Sequence, residues 1–248
     1  MVEGEFGRRA TGREPSPPSL RDGPPLRAGE DLALADPERA LAVAYAPATL
    51  RPALTALFTL DERFGAIVAS TSEPMIGLMR LAWWREALER LDAGPVPAEP
   101  LLRALADHAL PRGAAGAMLA AIEDGWAALL DGEPDEDAIA RHGRERGAKL
   151  FEAAARLLGA MDDRVAAAGE GWALADLAHR HSSPAVRQAA RAQAAIALAR
   201  TGGRPWPRPL RPLAMLAVLA RADAATERRA QGSPRRLARM LAMRLSGR

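Results

Sequence analysis

The sequence predicts an all-α protein. Hydrophobic residues make up 48% of the 248 residues but aromatic residues only 4%. Alanine and leucine predominate, a mixture that favours helices and supplies little of the β-branched and aromatic material typical of strands. Apolar residues recur at helical spacing, and no segment shows the period-two alternation of a half-buried strand. A chain of this length can bury one large core without disulfides, so we expect a single helical domain.

Proline and glycine divide the chain into its predicted elements. Asp36-Pro37 has the form of a helix N-cap followed by proline in the first turn, and Glu73-Pro74 begins a second such helix. We therefore expect a helical domain over residues 36–248, after a disordered leader over residues 1–35 that is rich in proline, glycine and arginine. Further helices are predicted at 101–110, 114–130, 137–158, 161–181, 184–200, 212–225 and 233–245.

Two of these helices carry clear apolar stripes. In the segment of residues 50–64, Leu54, Leu57 and Phe64 form an apolar stripe that continues past Asp61-Glu62-Arg63. These three charged residues are interpreted as surface charge. In the helix that begins at Pro74, we expect both Trp83 and Trp84 in the core, because tryptophans at helical spacing among leucines are usually buried. Its stripe comprises Leu81, Trp84, Leu88 and Leu91, widened by Ile76, Met79 and Trp83.

Charge and cysteine usage exclude several classes of protein. The net charge is only +3, because the arginines are balanced by 31 acidic residues, so no nucleic-acid partner is expected. The absence of cysteine excludes disulfides, thiolate metal sites and a cysteine nucleophile. No apolar run is long enough to span a bilayer, which predicts a cytoplasmic location, with peripheral contact to the inner membrane as the alternative.

Two polar clusters suggest metal sites without completing one. Asp131, Glu133, Asp135 and Asp137 alternate like a calcium loop, but the loop lacks the required glycine and has His142 in place of the final glutamate. A solvated loop that caps the next helix is therefore expected. His179 and His181 lie near Asp176, but a spacing of two turns them about 200° apart on a helix. A polar helix end is the simpler interpretation of this pair.

The last predicted helix is basic and amphipathic. Its arginines face leucines and methionines, a pattern that fits a terminal helix packed on the domain or, alternatively, a membrane surface contacted through residues 233–248.

Residues 45–58 and 73–88 carry a family resemblance. The motif Gly77-Leu78-Met79-Arg80 with the tryptophans that follow it resembles the squalene/phytoene synthase family. Within that family it is most similar to the divergent branch that includes the mitochondrial complex I assembly factor 6 proteins. The resemblance implies a single-domain helical bundle of the isoprenoid-synthase type.

Active members of that family couple two prenyl diphosphates, using Mg²⁺ held by two aspartate-rich motifs on facing helices. In this chain the resemblance places Gly65, Ala66 and Ala69 in the aspartate positions of the first motif. It places Arg180 and Pro184 in aspartate positions of the second, and Asp176 where the family often has asparagine. Metal-assisted departure of diphosphate needs two clusters of oxygen ligands, which the single carboxylate of Asp176 cannot replace.

The resemblance without its metal motifs therefore implies a non-catalytic binding or assembly factor. A role related to respiratory complex I is implied by the resemblance alone. The sequence predicts no catalytic residue, no metal and no cofactor, and the partner would be an unidentified protein or a prenyl lipid. One alternative is a prenyl diphosphate transferase with Mg²⁺, in which Arg51, Arg80 and Arg85 hold phosphate. Another is a membrane-surface lipid-binding protein.

Overall fold

A computed structural model describes residues 32–248. These residues form helices and connecting loops without any β-strand, so the all-α prediction is confirmed. The predicted leader, residues 1–35, lies outside the described residues except for its last four. The helices are α1 (Pro37–Ala44), α2 (Arg51–Ser70), α3 (Pro74–Glu89), α4 (Pro100–His108), α5 (Gly116–Ala120), α6 (Glu123–Ala127), α7 (Glu136–Arg141), a π-helix (His142–Ala148), α8 (Lys149–Leu157), α9 (Val165–Arg180), α10 (Pro184–Ala199), α11 (Arg211–Ala224) and α12 (Pro234–Ser246).

The predicted start of the domain has the expected cap. The Asp36 carboxylate accepts hydrogen bonds from the backbone N–H groups of Glu38 and Arg39, and Pro37 is the first residue of α1. Asp135 caps α7 in the same way through the N–H of Ala138, as expected for the acidic loop. These caps satisfy N–H groups that have no partner within the helix.

Two predicted helices are interrupted in the structure. The segment 114–130 forms α5 and α6 rather than one helix, and the carboxylate of Asp92 accepts from the backbone N–H groups of Gly116 and Ala117 at the start of α5. The segment 137–158 contains the π-helix between α7 and α8. π-helical turns inside longer helices often occur at functional sites.

Helix α9 is the centre of the bundle. It packs against α8, α10, α11 and the π-helix, and nearly all its residues are buried. A Cβ atom added to Gly147 of the π-helix would overlap the carbonyl oxygen of Gly169 in α9. The missing side chains therefore let the two backbones touch, which brings the π-helix close to the centre.

The stripe on α3 is narrower than predicted. Leu81, Trp84 and Leu88 are buried and Trp83 packs partly against the core, but Ile76 is 42% exposed and Met79 66% exposed. The prediction that these two widen the buried stripe was wrong, because only one side of α3 is covered by the bundle.

No helix within residues 32–248 combines the length and the apolarity needed to cross a bilayer.

Candidate functional site

Asp61 lies at the centre of a buried network of charged side chains. It is fully buried on α2, so its interpretation as surface charge was wrong. Its Oδ1 accepts from Arg146 Nε at 2.8 Å and from Trp126 Nε1 at 3.0 Å. Its Oδ2 accepts from Arg39 Nη1 and Arg146 Nη2, both at 3.0 Å. All the acceptor positions of this carboxylate are therefore used by protein donors.

Arg146 joins Asp61 to a second carboxylate on a different helix. From the π-helix its guanidinium reaches α2 on one side, and its Nη2 also donates to Asp176 Oδ2 on α9 at 3.0 Å. Asp176 Oδ1 accepts from Arg180 Nε at 2.9 Å and from Arg229 Nη1 at 3.0 Å. One guanidinium thus bridges the two buried carboxylates of facing helices.

The guanidinium groups around the two carboxylates keep both of them ionised. Burial alone would raise the pKa of Asp61, but the positive charges of Arg146 and Arg39 outweigh it and lower the pKa. The same balance, led by Arg146 and Arg39, holds the pKa of Asp176 well below its ordinary value. Burial opposes the charge of Arg146 as well, yet the two carboxylates raise its pKa. Each ion is stable in the interior only while its partners remain.

His142 extends the network as a neutral imidazole. Its Nδ1 lies 2.7 Å from the carbonyl oxygen of Gly125, which can only accept, so Nδ1 carries the proton. Its Nε2 then accepts from Arg146 Nη1 at 3.1 Å. Burial and, second, the charge of Arg146 lower the pKa of His142 to about 3.

The buried His142 predicts a loss of stability on acidification. The pKa of His142 is 6.5 in the unfolded chain and about 3 in the folded protein. At pH values between these two, the unfolded chain binds a proton at His142 that the folded protein does not bind. The free energy of unfolding therefore has its full value above pH 6.5 and falls by about 1.4 kcal/mol per pH unit as the pH drops towards 3. We expect the free energy of unfolding to fall by about 2 kcal/mol more in the wild type than in His142→Gln between about pH 7.5 and pH 5. Urea titrations at both pH values measure this difference, and equal losses in the two proteins would contradict it.

A second cluster of ion pairs lies beside the first. Arg236 on α12 donates through Nε to Glu38 Oε1 at 2.6 Å and also pairs with Asp223 on α11. Arg229 Nη2 lies 3.7 Å from Glu38 Oε2, and Arg229 Nη1 donates to Asp176 Oδ1. Arg229 therefore belongs to both clusters. The cavity between them, which Asp36, Arg39 and Asp176 help to line, has a volume of only about 10 Å³.

Aromatic rings close the space around Arg146. The guanidinium carbon of Arg146 lies 4.0 Å from the ring centre of Trp126 and 4.9 Å from that of Trp172. Phe58 and Phe151 pack in turn against Trp172. A cation between two tryptophans gains cation–π stabilisation, and the rings leave no room there for an additional group.

The positions that the resemblance assigns to the first aspartate motif fall around this network without joining it. A Cβ atom on Gly65 would lie 2.9 Å from Trp126 Cη2, so the tryptophan fills the space of any side chain at that position. Ala66 and Ala69 are exposed. Of the second motif, Asp176 is buried in the network, Arg180 is exposed but bonded to Asp176, and Pro184 is the first residue of α10.

The three arginines expected to hold phosphate lie on α2 and α3. Arg51 is exposed at the start of α2 and donates to the carbonyl oxygen of Ala46 at 3.0 Å. Arg80 is half-buried on α3. Arg85 forms ion pairs with Glu123 and Asp124 on α6, so its charge is already balanced.

The residues of this site do not fit Mg²⁺. The ion requires several oxygen ligands in octahedral geometry, yet both oxygens of Asp61 and of Asp176 accept from guanidinium or indole N–H groups. Within residues 32–248 no three His, Asp or Glu side chains are grouped to hold a metal ion. His179 Nε2 lies instead 3.2 Å from the carbonyl oxygen of Asp223, and His181 Nδ1 accepts from the N–H of Ser183.

Sequence reasoning missed most of this site. Arg39, Arg146 and Arg229 were not assigned a role, and Asp61 was assigned to the surface. His142 was considered only as a replacement for the last ligand of a calcium loop. One signal was present: Asp61 lies four residues after Leu57 and three before Phe64, inside the apolar stripe of α2. A carboxylate at such a position predicts a buried partner.

Comparison with known proteins gives one match. A family model described as squalene/phytoene synthase matches residues 32–180. No curated protein and no solved structure matches the chain.

Proposed function

The chain belongs to the squalene/phytoene synthase family, and we propose that within it this protein is a non-catalytic member that acts as a binding or assembly factor. It has the all-helical fold of the isoprenoid-synthase type. Fold alone does not carry activity, so the proposal rests on the residues of the buried site.

The position of Arg146 carries the proposal. Synthase chemistry in this family needs Mg²⁺ between carboxylates of facing helices, because the metal neutralises the departing diphosphate. In this protein Asp61 and Asp176 are the buried carboxylates of facing helices, and the cation between them is a guanidinium. Arg146 and Arg39 together balance the charges of both carboxylates, so neither guanidinium has unpaired charge to offer a diphosphate.

The lack of space beside the network supports the same conclusion, because the pockets of about 280 and 440 Å³ lie elsewhere on the protein. The cavity beside the network has a volume of about 10 Å³, whereas ligand pockets usually hold about 300–1,000 Å³. Trp126 and Trp172 occupy the space on either side of Arg146. A prenyl chain with its diphosphate would have to displace both rings and break the network.

We further propose that the binding partner is a protein of respiratory complex assembly. This finer assignment rests on the resemblance of residues 73–88 to the complex I assembly factor 6 branch. The exposed side chains of Met75, Ile76 and Met79 on α3 support a contact with another protein, because contiguous exposed apolar side chains commonly mark interaction surfaces.

An assay of diphosphate release tests the loss of catalysis. We expect no diphosphate and no prenyl product from farnesyl or geranylgeranyl diphosphate, with or without Mg²⁺, under conditions in which an active squalene or phytoene synthase turns over. Circular dichroism of the same sample establishes that it is folded. Turnover that depends on Mg²⁺ would contradict the proposal and support the transferase alternative.

The assembly role has its own test. Tagged wild-type protein is expected to copurify with respiratory subunits, and Met79→Glu is expected to weaken that association. Ile196→Glu changes a similarly exposed residue on α10 and serves as the matched control. Absence of respiratory subunits from the wild-type sample would remove this part of the proposal and leave the catalytic part unaffected.

A further inference from the structure

The C-terminal segment has an unusual charge pattern. Residues 228–248 contain seven arginines and no acidic residue, in a chain with 31 acidic residues. Two of the seven, Arg229 and Arg236, form the buried ion pairs described above. Of the remaining five, Arg228 lies in the loop before α12, Arg235, Arg239 and Arg244 lie on α12, and Arg248 follows it.

The inner side of helix α12 packs on the bundle. Arg236, Met240 and Met243 are buried against the bundle, and Arg211 of α11 donates to the carbonyl oxygens of Arg244 and Leu245. The packed terminal helix predicted from the sequence is therefore present. The outer side chains are not required for its docking.

The outer side of α12 combines apolar and cationic groups. Leu245 is 79% exposed and Leu237 43% exposed, and the two lie on one side of the helix with the exposed Ala238 and Ala242. Arg235 and Arg239 border this side along one edge. On the other edge Arg244 is half-buried, with its guanidinium carbon 5.8 Å from the ring centre of Tyr45. Within residues 32–248 none of these three arginines lies within ion-pair distance of a carboxylate.

We propose that this outer face of α12 binds the surface of an anionic lipid bilayer. The leucines enter the interface between head groups and acyl chains, while Arg235 and Arg239 extend to lipid phosphates. Unpaired arginines with no acidic neighbour on the helix complement a negative surface, and the exposed leucines between them favour a bilayer over nucleic acid. This inference is independent of the proposed loss of catalysis.

Vesicle cosedimentation tests the surface. Wild-type protein is expected to bind vesicles of phosphatidylcholine with phosphatidylglycerol and to bind pure phosphatidylcholine far more weakly, with a steep loss at high salt. Leu237→Glu with Leu245→Glu should reduce binding by about tenfold or more, since it removes the apolar contact and adds like charge to the membrane. Both substitutions are at exposed positions, so thermal melts should remain unchanged.

Two controls make the test decisive. Ile196→Glu changes an exposed apolar residue, 69% accessible on α10, and should bind like the wild type. Arg235→Gln with Arg239→Gln should weaken binding to phosphatidylglycerol vesicles selectively. Absence of wild-type binding, or equal loss in the Ile196 control, would overturn the proposal. So would tight binding of duplex DNA that the leucine substitutions leave unchanged, which would assign the arginines to nucleic acid.

Discussion

Arg146→Met is expected to lower the free energy of unfolding by about 3–5 kcal/mol, the cost of removing one partner from a buried ion pair. The substitution removes two of the four hydrogen bonds to Asp61 and one of the three to Asp176. Both carboxylates are fully or almost fully buried, so water cannot replace the lost donors without opening the core. The pKa values of both groups should rise towards or above the ordinary range. Chemical denaturation of the purified variant measures the loss.

Arg144→Met provides the matched control for this prediction. Arg144 lies on the same π-helix two residues earlier and is exposed, so its replacement should change stability by less than about 0.5 kcal/mol. Combining Arg146→Met with Asp61→Asn should cost clearly less than the sum of the two single changes, because both remove the same interaction. Additive losses, or similar losses for Arg144 and Arg146, would show that the network does not hold the core together.

A large structural effect is consistent with the proposed loss of catalysis. A metal site in an enzyme must leave ligand positions open for the substrate, whereas every oxygen of Asp61 is bonded to protein. Such a network stabilises one arrangement of α2, the π-helix and α9 but has no open position. Asp61 and Asp176, which do not occupy the aspartate positions of the active relatives, serve in this chain to position helices.

Local signals explain why the helices could be predicted. The cap at Asp36 and the prolines at Pro74 and Pro184 act within one helical turn, so their effect can be recognised in the sequence alone. The break between α5 and α6 and the π-helix were not predictable in this way. At Gly125 an added Cβ would overlap the backbone nitrogen of Arg146, so this geometry depends on a contact between distant segments.

The buried site could be predicted only in part, for a similar reason. Asp61 bonds to Arg39 and Arg146, which are 22 and 85 residues away in sequence. Charged residues at such separations look like surface residues until the fold brings them together. The position of Asp61 within an apolar stripe was the one local indication, and the family resemblance directed attention to Gly65, Ala66 and Ala69, which carry no polar group.

Gly147→Ala is expected to destabilise the protein by about 3 kcal/mol or more, although alanine is the better helix former by about 1 kcal/mol. The added Cβ would overlap the carbonyl oxygen of Gly169 and lie 2.7 Å from the Cβ of Ala173. A backbone carbonyl inside a central helix cannot rotate away, so the π-helix and α9 must separate, and Arg146 then moves away from Asp176. Gly202→Ala is the control, since no atom lies within 4 Å of a Cβ there, and its stability should stay within about 0.5 kcal/mol of the wild type. A higher free energy of unfolding for Gly147→Ala would contradict this prediction. It would show that helix propensity outweighs the close contact of the two backbones at this position.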